Sequence, residues 1–246
     1  MARRRSGGAR WRGLRVLAAA ARFTVGALAV DLLLAGAFAI GSLVAVPGWA
    51  AAASYVIRID TAQPVMRVYR YGRLIRTFAV ALGKPATVTP IGSWRVVDKQ
   101  RGWGKGFGTR WLGLDVPWGI YGIHGTNRPA SIGRYASNGC IRMHNADVEQ
   151  LYDWTPRGTP VIITGDPLRP LRRLKFGNIG ADVQLVQRRL REAGYYAGPC
   201  DGRFGPRTQV ALMYFELAHG LLQDGAVGMG DYRALRLAGA ARHEKG

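Results

Sequence analysis

The stretch "HGTNRPASIGRYASNGCIRMHNADVEQLYDWTPRGTPVIITG", residues 124–165, holds one of the two cysteines of the chain and two of its four histidines. Cys140 can attack a carbonyl at neutral pH only if its pKa is lowered or a base lies beside it. His124 ends an apolar, strand-like run, and its ring is the best candidate for that base. Gly139 permits close approach of a substrate and lets backbone amides face a developing oxyanion.

Composition alone leaves other interpretations of Cys140 open. A free cysteine is commonly a small buried hydrophobic residue. A disulfide with Cys200 suits an exported chain, but it would have to join two predicted domains. A zinc site needs four ligands, and the sequence offers few candidates. His144 follows the cysteine by four residues and is interpreted as a surface or capping residue.

Upstream of this stretch the pattern is that of β-strands. The segments "YVIRID" (55–60) and "VMRVYR" (65–70) alternate apolar and polar residues, as do the later segments "LIRTFAVAL", "SWRVVD" and "TPVIITG". Residues 99–118 are rich in glycine and tryptophan. They are predicted to form a long irregular surface loop, either a lid or a loop packed by its own tryptophans. "NADVEQLYDWT" predicts one short helix with Asn145 as its cap. We therefore expect a mostly β, sandwich-like domain with a short helix over residues 54–166.

After residue 166 the pattern becomes helical. Residues 167–176 contain prolines and arginines without periodicity and are predicted to be a linker. Apolar residues then recur at helical spacing in three segments, separated by glycine-containing turns. We expect a small all-α module of three helices over residues 177–238 and a tail at 239–246. Cys200 lies in one of the turns, where it is predicted to be exposed.

Residues 1–53 begin with basic residues, continue through an apolar run and end in small residues after a proline. This order is typical of a secretory signal peptide, and a retained membrane anchor is the alternative. Both interpretations engage the membrane or the secretion machinery and place the rest of the protein outside the cytoplasm. The formal charge is +20, and seven arginines with one aspartate give this segment +6 of it. The remaining +14 favours polyanionic partners, whereas no zinc-finger spacing or RNP-like motif indicates nucleic-acid binding.

Residues 124–165 resemble the catalytic core of the L,D-transpeptidase (YkuD-type) family. In that family a histidine precedes a segment of the form Ser/Thr-x-Gly-Cys-apolar-Arg/Asn, and here the two are sixteen residues apart. The residues that match are His124, Ser137, Gly139, Cys140 and Arg142. The upstream Gly-Lys…Thr-Pro-x-Gly loop also matches, and the resemblance covers about residues 54–165.

This resemblance implies a reaction. Cys140 would attack the carbonyl of the third residue in a peptidoglycan tetrapeptide stem, and the terminal D-Ala would leave. The side-chain amine of another stem would then resolve the thioester as a 3→3 cross-link. His124 would carry the proton, with its ring oriented by the Gly125 carbonyl. The amides of Gly139 and Cys140 would hold the oxyanion.

The resemblance also implies substrate contacts at Arg142, Ser137 and Asn138. Arg142 would meet a substrate carboxylate, and a structural ion pair is the alternative. Many members of the family have histidine where this chain has Asn138. Because the base is assigned to His124, the asparagine does not remove it. No metal and no organic cofactor are implied.

Residues 177–238 resemble a small helical peptidoglycan-binding domain. Glu216 and Asp231 depart from the glutamine and threonine that are usual there. The two resemblances together imply an exported cysteine L,D-transpeptidase of the cell wall or periplasm, with peptidoglycan stem peptides and glycan as partners and anionic wall polymers as further candidates. An L,D-carboxypeptidase that uses water as acceptor is one alternative. A non-catalytic peptidoglycan-binding protein is the other.

Overall fold

The computed structural model of the protein describes residues 54–102, residue 104 and residues 106–238. The predicted export segment, residues 1–53, and the tail, residues 239–246, lie outside these residues. In the described part of the chain, no helix is both long and apolar enough to cross a membrane.

The strands of the described chain follow one another with short connections. They are β1 (Tyr55–Asp60), β2 (Val65–Arg70), β3 (Arg73–Ala79), β4 (Leu82–Gly83), β5 (Gly92–Arg101), β6 (Arg110–Leu114), β7 (Tyr121–His124), β8 (Tyr135–Ser137), β9 (Ile141–Arg142) and β10 (Pro160–Thr164). Strands β1 and β2 have the bounds that their alternating sequence predicts.

These strands form a curled eight-stranded sheet in the order β3-β2-β1-β10-β5-β6-β7-β9, with β4 and β8 as a separate pair. Neighbours in the large sheet are antiparallel, except that β1 with β10 and β7 with β9 are parallel. Ile57 and Ile59 are fully buried and Arg58 between them is exposed, because successive side chains of a strand point to opposite faces. The prediction of a mostly β domain is confirmed.

The prediction of an irregular surface loop at residues 99–118 is wrong. Strand β5 continues to Arg101, and β6 is hydrogen-bonded between β5 and β7. Trp111 and Trp118 are 2% and 3% exposed, so their rings belong to the interior. Gly113, one of the glycines that resemble those of a loop, makes room for the first of them: a Cβ there would lie 3.0 Å from Nε1 of Trp111.

Helix α1 (Asn145–Trp154) is the short helix predicted in the β domain. Val148 and Leu151 are fully buried beneath it. The expected cap differs, because the N-cap residue is His144, which makes no side-chain capping bond. His144 is exposed, and the Asn145 side chain is used elsewhere, at the candidate site.

The C-terminal module contains the three predicted helices, α2 (Ala181–Glu192), α3 (Pro206–Ala218) and α4 (Met229–Ala234). Their apolar side chains meet in a core of their own, which includes Leu190 and Phe215. The expectation of a small all-α module is confirmed.

Part of the predicted linker is integral to this module. Leu174 is fully buried in the helical core, and it exchanges backbone hydrogen bonds with Val227 at 3.1 and 2.7 Å. The Tyr232 hydroxyl donates to the Arg172 carbonyl at 2.8 Å. A single buried leucine among prolines and arginines gives no periodicity, which is why its sequence resembles a linker.

Candidate active site

Strand pairing brings the segments of the predicted histidine and cysteine together. Strand β7 runs parallel to β9, and His124 is the register partner of Arg142. Cys140 lies two residues before Arg142, in the bend that leads into β9, and the charge of Arg142 acts on both the Cys140 thiol and the His124 imidazole. His124 and Cys140 are sixteen residues apart in sequence, but they lie at the ends of segments that are neighbours in the sheet.

His124 is held as a neutral imidazole with a defined tautomer. Its Nδ1 lies 2.5 Å from the Gly125 carbonyl oxygen, and since a carbonyl only accepts, Nδ1 carries the proton and Nε2 has the lone pair. The ring stacks on Trp111 at 5.7 Å and meets the edge of Phe107 at 4.9 Å. Burial lowers the pKa of His124 to about 4, against the opposing effect of the Gly125 carbonyl and with a further lowering by Arg142.

The Cys140 thiol is partly buried. Its Sγ lies 4.0 Å from the Ile120 carbonyl oxygen. Burial raises the pKa of the thiol, while the Gly122 backbone and the charge of Arg142 oppose that rise. Both shifts favour a neutral thiol beside a neutral imidazole at neutral pH.

Residues 137–140 form a tight turn that presents the cysteine. Ser137 is fully buried; its hydroxyl accepts from the Gly139 amide at 3.0 Å and donates to the Cys140 carbonyl at 2.5 Å. Ser137 thus shapes the turn, and its burial corrects the expectation that it contacts substrate. Gly139 has a φ of +112°, and a Cβ there would lie 2.7 Å from the Tyr121 ring.

The structure separates the two amides expected to hold an oxyanion. The Gly139 amide already donates to Ser137. No hydrogen bond within the described part of the chain uses the Cys140 amide. In this conformation Cys140 is therefore the donor that is available to a ligand.

Arg142 and Asn138 lie on either side of the cysteine. Arg142 donates from Nη1 to the Ala136 carbonyl at 3.3 Å, and no carboxylate of the described residues forms a salt bridge with it. The structural ion pair considered for Arg142 is thus not formed by those residues. Asn138 is exposed and borders a cavity that it shares with Tyr121.

Asn145 is a site residue that sequence reasoning missed. Its Oδ1 accepts from the amides of Thr109 and Thr126 at 3.3 and 3.2 Å. A Cβ on Gly108 or Gly125 would collide with that oxygen. Asn145 thereby fixes the turn whose Gly125 carbonyl orients His124. The repeated Gly-Thr pair before each amide was the available sequence signal.

Comparison with known families agrees with this geometry. Residues 54–163 match the family model described as "L,D-transpeptidase catalytic domain". Residues 179–235 match the model described as "Putative peptidoglycan binding domain". The two matches cover the β domain and the helical module in turn.

Similar proteins match the first of these segments. The "Putative L,D-transpeptidase YkuD" of Bacillus licheniformis is 46% identical over 110 residues, which are 45% of this chain and 66% of that protein. Its namesake in Bacillus subtilis is 43% identical over 109 residues, 44% of this chain and 65% of that protein. The chain thus spans just under two thirds of the length of these relatives. A solved "L,D-transpeptidase from Mycobacterium smegmatis" is 22% identical with a TM-score of 0.40, over 46% of this chain and 59% of that one.

Proposed function

We propose that the protein is an exported transpeptidase of peptidoglycan. It joins two peptide stems by a 3→3 cross-link through a thioester on Cys140. Residues 54–163 match the L,D-transpeptidase catalytic domain model, and residues 179–235 match a peptidoglycan-binding domain model. The observation that supports the proposal is the pairing of β7, which ends at His124, with β9, which begins directly after Cys140. The charge of +14 outside residues 1–53 suits a polyanionic wall.

The reaction has two acyl-transfer steps. In the first, the Cys140 sulfur attacks the carbonyl carbon of the third stem residue while its proton passes to Nε2 of His124. The bond to the terminal D-Ala breaks, and the imidazolium returns the proton to the departing amine. In the second, the side-chain amine of another stem attacks the thioester. His124 takes the proton of that amine and gives it to the leaving sulfur, so one D-Ala is released per cross-link.

The neutral resting pair defines what His124 must do. A buried thiol with a raised pKa is not ionised at pH 7, so attack requires removal of its proton in the transition state. An imidazole with a pKa of about 4 is unprotonated at that pH and able to accept. General-base transfer of this kind contributes about 10²–10⁴-fold to rate. The contact with Gly125 supports the role, because it engages Nδ1 and leaves Nε2 as the ring nitrogen that can accept a proton.

The oxyanion is assigned first to the Cys140 amide. That amide belongs to the nucleophile itself, which places it within reach of the carbonyl under attack. The Gly139 amide joins it only by exchanging its bond to Ser137 for one to the oxyanion. Ser137 then supplies the stability of the turn, and Gly139 supplies a positive φ that a side chain would oppose.

Arg142 supplies positive charge beside the reacting pair. It lowers the pKa of both His124 and Cys140, and its guanidinium has no carboxylate partner among the described residues. A substrate carboxylate would provide the missing ion-pair partner, since charge-assisted hydrogen bonds to arginine are strong and directional. Asn138, exposed at the cavity edge, offers an amide to the same substrate.

The test is product analysis with a defined substrate. The full-length protein is incubated with a purified disaccharide–tetrapeptide, beside the Cys140→Ala variant, and products are weighed by mass spectrometry. The proposal predicts a dimer lighter by one D-Ala that the variant does not make. A tripeptide monomer as sole product would assign an L,D-carboxypeptidase instead. Absence of both products from folded protein that still binds polymer would leave a binding protein and reject catalysis.

A further inference from the structure

A cavity of about 490 Å³ lies between the β domain and the helical module. Its β-domain wall includes the loop of residues 85–91, Trp118, Tyr121 and Asn138. Its other wall is formed by residues 166–172 and 177–182, most of them at the start of the helical module. Because Asn138 and Tyr121 flank the Cys140 turn, the cavity ends where the proposed chemistry begins.

Direct contacts hold the module against this side of the β domain. Arg203 donates from Nε to the Pro117 carbonyl at 3.1 Å. Ala181, the first residue of α2, packs on the hydrophobic core of the β domain. Gly202 lies against Trp118 so closely that a Cβ on the glycine would collide with the indole ring. The module therefore packs against Trp118, whose side chain is 3% exposed.

The same tryptophan is connected to Cys140 by a series of packing contacts. Trp118 meets Trp94 edge-to-face at 5.2 Å, which anchors it in the β domain. Tyr121 follows three residues later, lines the same cavity and packs on Gly139, the residue before Cys140. A continuous packed path therefore runs from the module through one aromatic wall to the cysteine turn.

The walls of the cavity suit the backbone of a peptide. Arg172 pairs with Asp182 at 2.7 Å and Arg169 pairs with Asp166 at 3.1 Å, so the four charges largely cancel. The remaining lining is prolines, glycines, small and branched aliphatic residues, two threonines, two aromatic rings and the amides of Asn138 and Asn178. Apolar surface with a few amide groups recognises a peptide backbone, whereas a phosphate polymer calls for unpaired cations.

We propose that the helical module forms the outer wall of the groove through which a peptide stem reaches Cys140. In this inference, which rests on the proposed function, the module takes part in substrate binding at the reacting centre as well as attachment to the polymer. Donor and acceptor stems share the same chemistry, and the two half-reactions distinguish them.

Ile179 provides the test. It lines the cavity from the module side and is 43% exposed, so Ile179→Asp places a charge in the groove without disturbing a core. Val210 on α3 is 51% exposed and lies outside the cavity lining. Val210→Asp is therefore the matched control, with the same chemical change in the same module.

Three measurements are made on the full chain with soluble stems. Formation of the Cys140 thioester from a tetrapeptide stem is followed by intact-protein mass, and its aminolysis by an added acceptor stem is timed. Retention on insoluble peptidoglycan is measured by sedimentation. We expect Ile179→Asp to slow one half-reaction about tenfold, through KM, with polymer retention within about twofold of wild type. Slower acylation assigns the groove to the donor, and slower aminolysis assigns it to the acceptor.

Wild-type rates for both half-reactions in Ile179→Asp would overturn the inference, as would an equal loss in Val210→Asp. Direct titration of the stem into Cys140→Ala protein, with and without Ile179→Asp, separates this inference from the proposed function. If wild-type protein forms no thioester but the stem still binds and Ile179→Asp weakens that binding about tenfold, the function is rejected and the groove stands. If the stem binds equally with and without Ile179→Asp, the groove is rejected.

Discussion

The two cysteines of this protein lie in regions that surround the thiol with different neighbouring groups. Cys140 ends the turn directly before β9, the strand in which Arg142 is the register partner of His124. Cys200 lies in a turn of the helical module, partly buried against its core, and its carbonyl accepts from Gln184 at 2.9 Å. The nearest comparable base in that module, His219, has its Nδ1 2.8 Å from the Phe215 carbonyl.

The direction of the pKa shift does not distinguish these thiols. Burial raises the pKa of Cys140 and of Cys200 alike, and positive charges oppose the rise in both, from Arg142 in one and from Arg191 and Arg188 in the other. What differs is the oriented imidazole on the neighbouring strand. Reactivity at Cys140 is therefore predicted to depend on a base that acts during attack.

The largest expected effect comes from removing that base. His124→Gln keeps a side-chain amide able to donate to the Gly125 carbonyl but supplies no proton acceptor. We expect acylation of Cys140 to fall by about 10²–10⁴-fold, with little change in far-ultraviolet circular dichroism. Stopped-flow thioester formation measures the rate. A loss smaller than about tenfold would mean that another group serves as base.

The pH dependence of Cys140 acylation tests the same role of His124. Because the pKa of His124 is lowered to about 4, its neutral form persists as pH falls through 6 and 5, and activity is lost only near pH 4. A histidine with its ordinary pKa would begin to lose activity near pH 6.5. Acylation rates from pH 3.5 to 8 in wild-type protein decide between these midpoints, and a midpoint near 6.5 contradicts the burial argument.

Gly139→Ala is expected to have an intermediate effect. The new Cβ opposes a φ of +112° and meets the Tyr121 ring at 2.7 Å, so the cysteine turn must shift. Gly133→Ala is the control, since its φ is +83° with no neighbour within 4 Å. We expect acylation to fall about tenfold or more in Gly139→Ala and to stay within about twofold in Gly133→Ala. Equal losses would attribute the effect to backbone strain alone.

The smallest effect on the rate of Cys140 acylation is expected from a substitution in the helical module. Gln187 donates to Thr208 at 3.1 Å. Glu216 on α3 and Asp231 on α4 differ from it, because each has one buried carboxylate oxygen that makes no hydrogen bond within the described residues. Burial raises the pKa of Glu216 to about 7, against the Gly225 amide and with the help of neighbouring carboxylates. The folded state therefore holds a proton there that the unfolded state releases near pH 4.5.

This linkage sets a pH-dependent stability. The contribution is complete below pH 4.5 and is lost as pH rises through 7. Glu216→Gln should leave unfolding near pH 5 unchanged and stabilise the protein at pH 8 by about 1–2 kcal/mol, with Cys140 acylation within about twofold of wild type. Denaturant melts at both pH values measure it. A variant that is less stable than wild type at pH 8 would show that the carboxylate has a partner there.

Local sequence predicts the elements of this fold better than their mutual contacts. Strands β1 and β2 follow from alternation, and His124 with Cys140 from residue type and spacing. Strand β6 was hidden because its glycine, Gly113, makes room for Trp111 but resembles, with the glycines before it, those of a loop. The part played by Asn145 was missed because it depends on amides that are distant in sequence and meet only after the sheet has formed.

Two further differences arise from burial. Ser137 matched a family position, but sequence does not reveal that its hydroxyl faces inward and is used by the turn. The packing of the helical module against Trp118 could not be predicted from the sequence either, since it joins residues that lie more than sixty positions apart. Pattern predicts which residues are important, whereas packing decides what they touch.

Intact-protein mass spectrometry after incubation with a soluble disaccharide–tetrapeptide tests the central claim most directly. Wild-type protein and Cys200→Ala are predicted to gain one acyl-tripeptide adduct, located by digestion on the peptide that contains Cys140. Cys140→Ala is predicted to gain none. An adduct on Cys200, or one that persists in Cys140→Ala, would contradict the account.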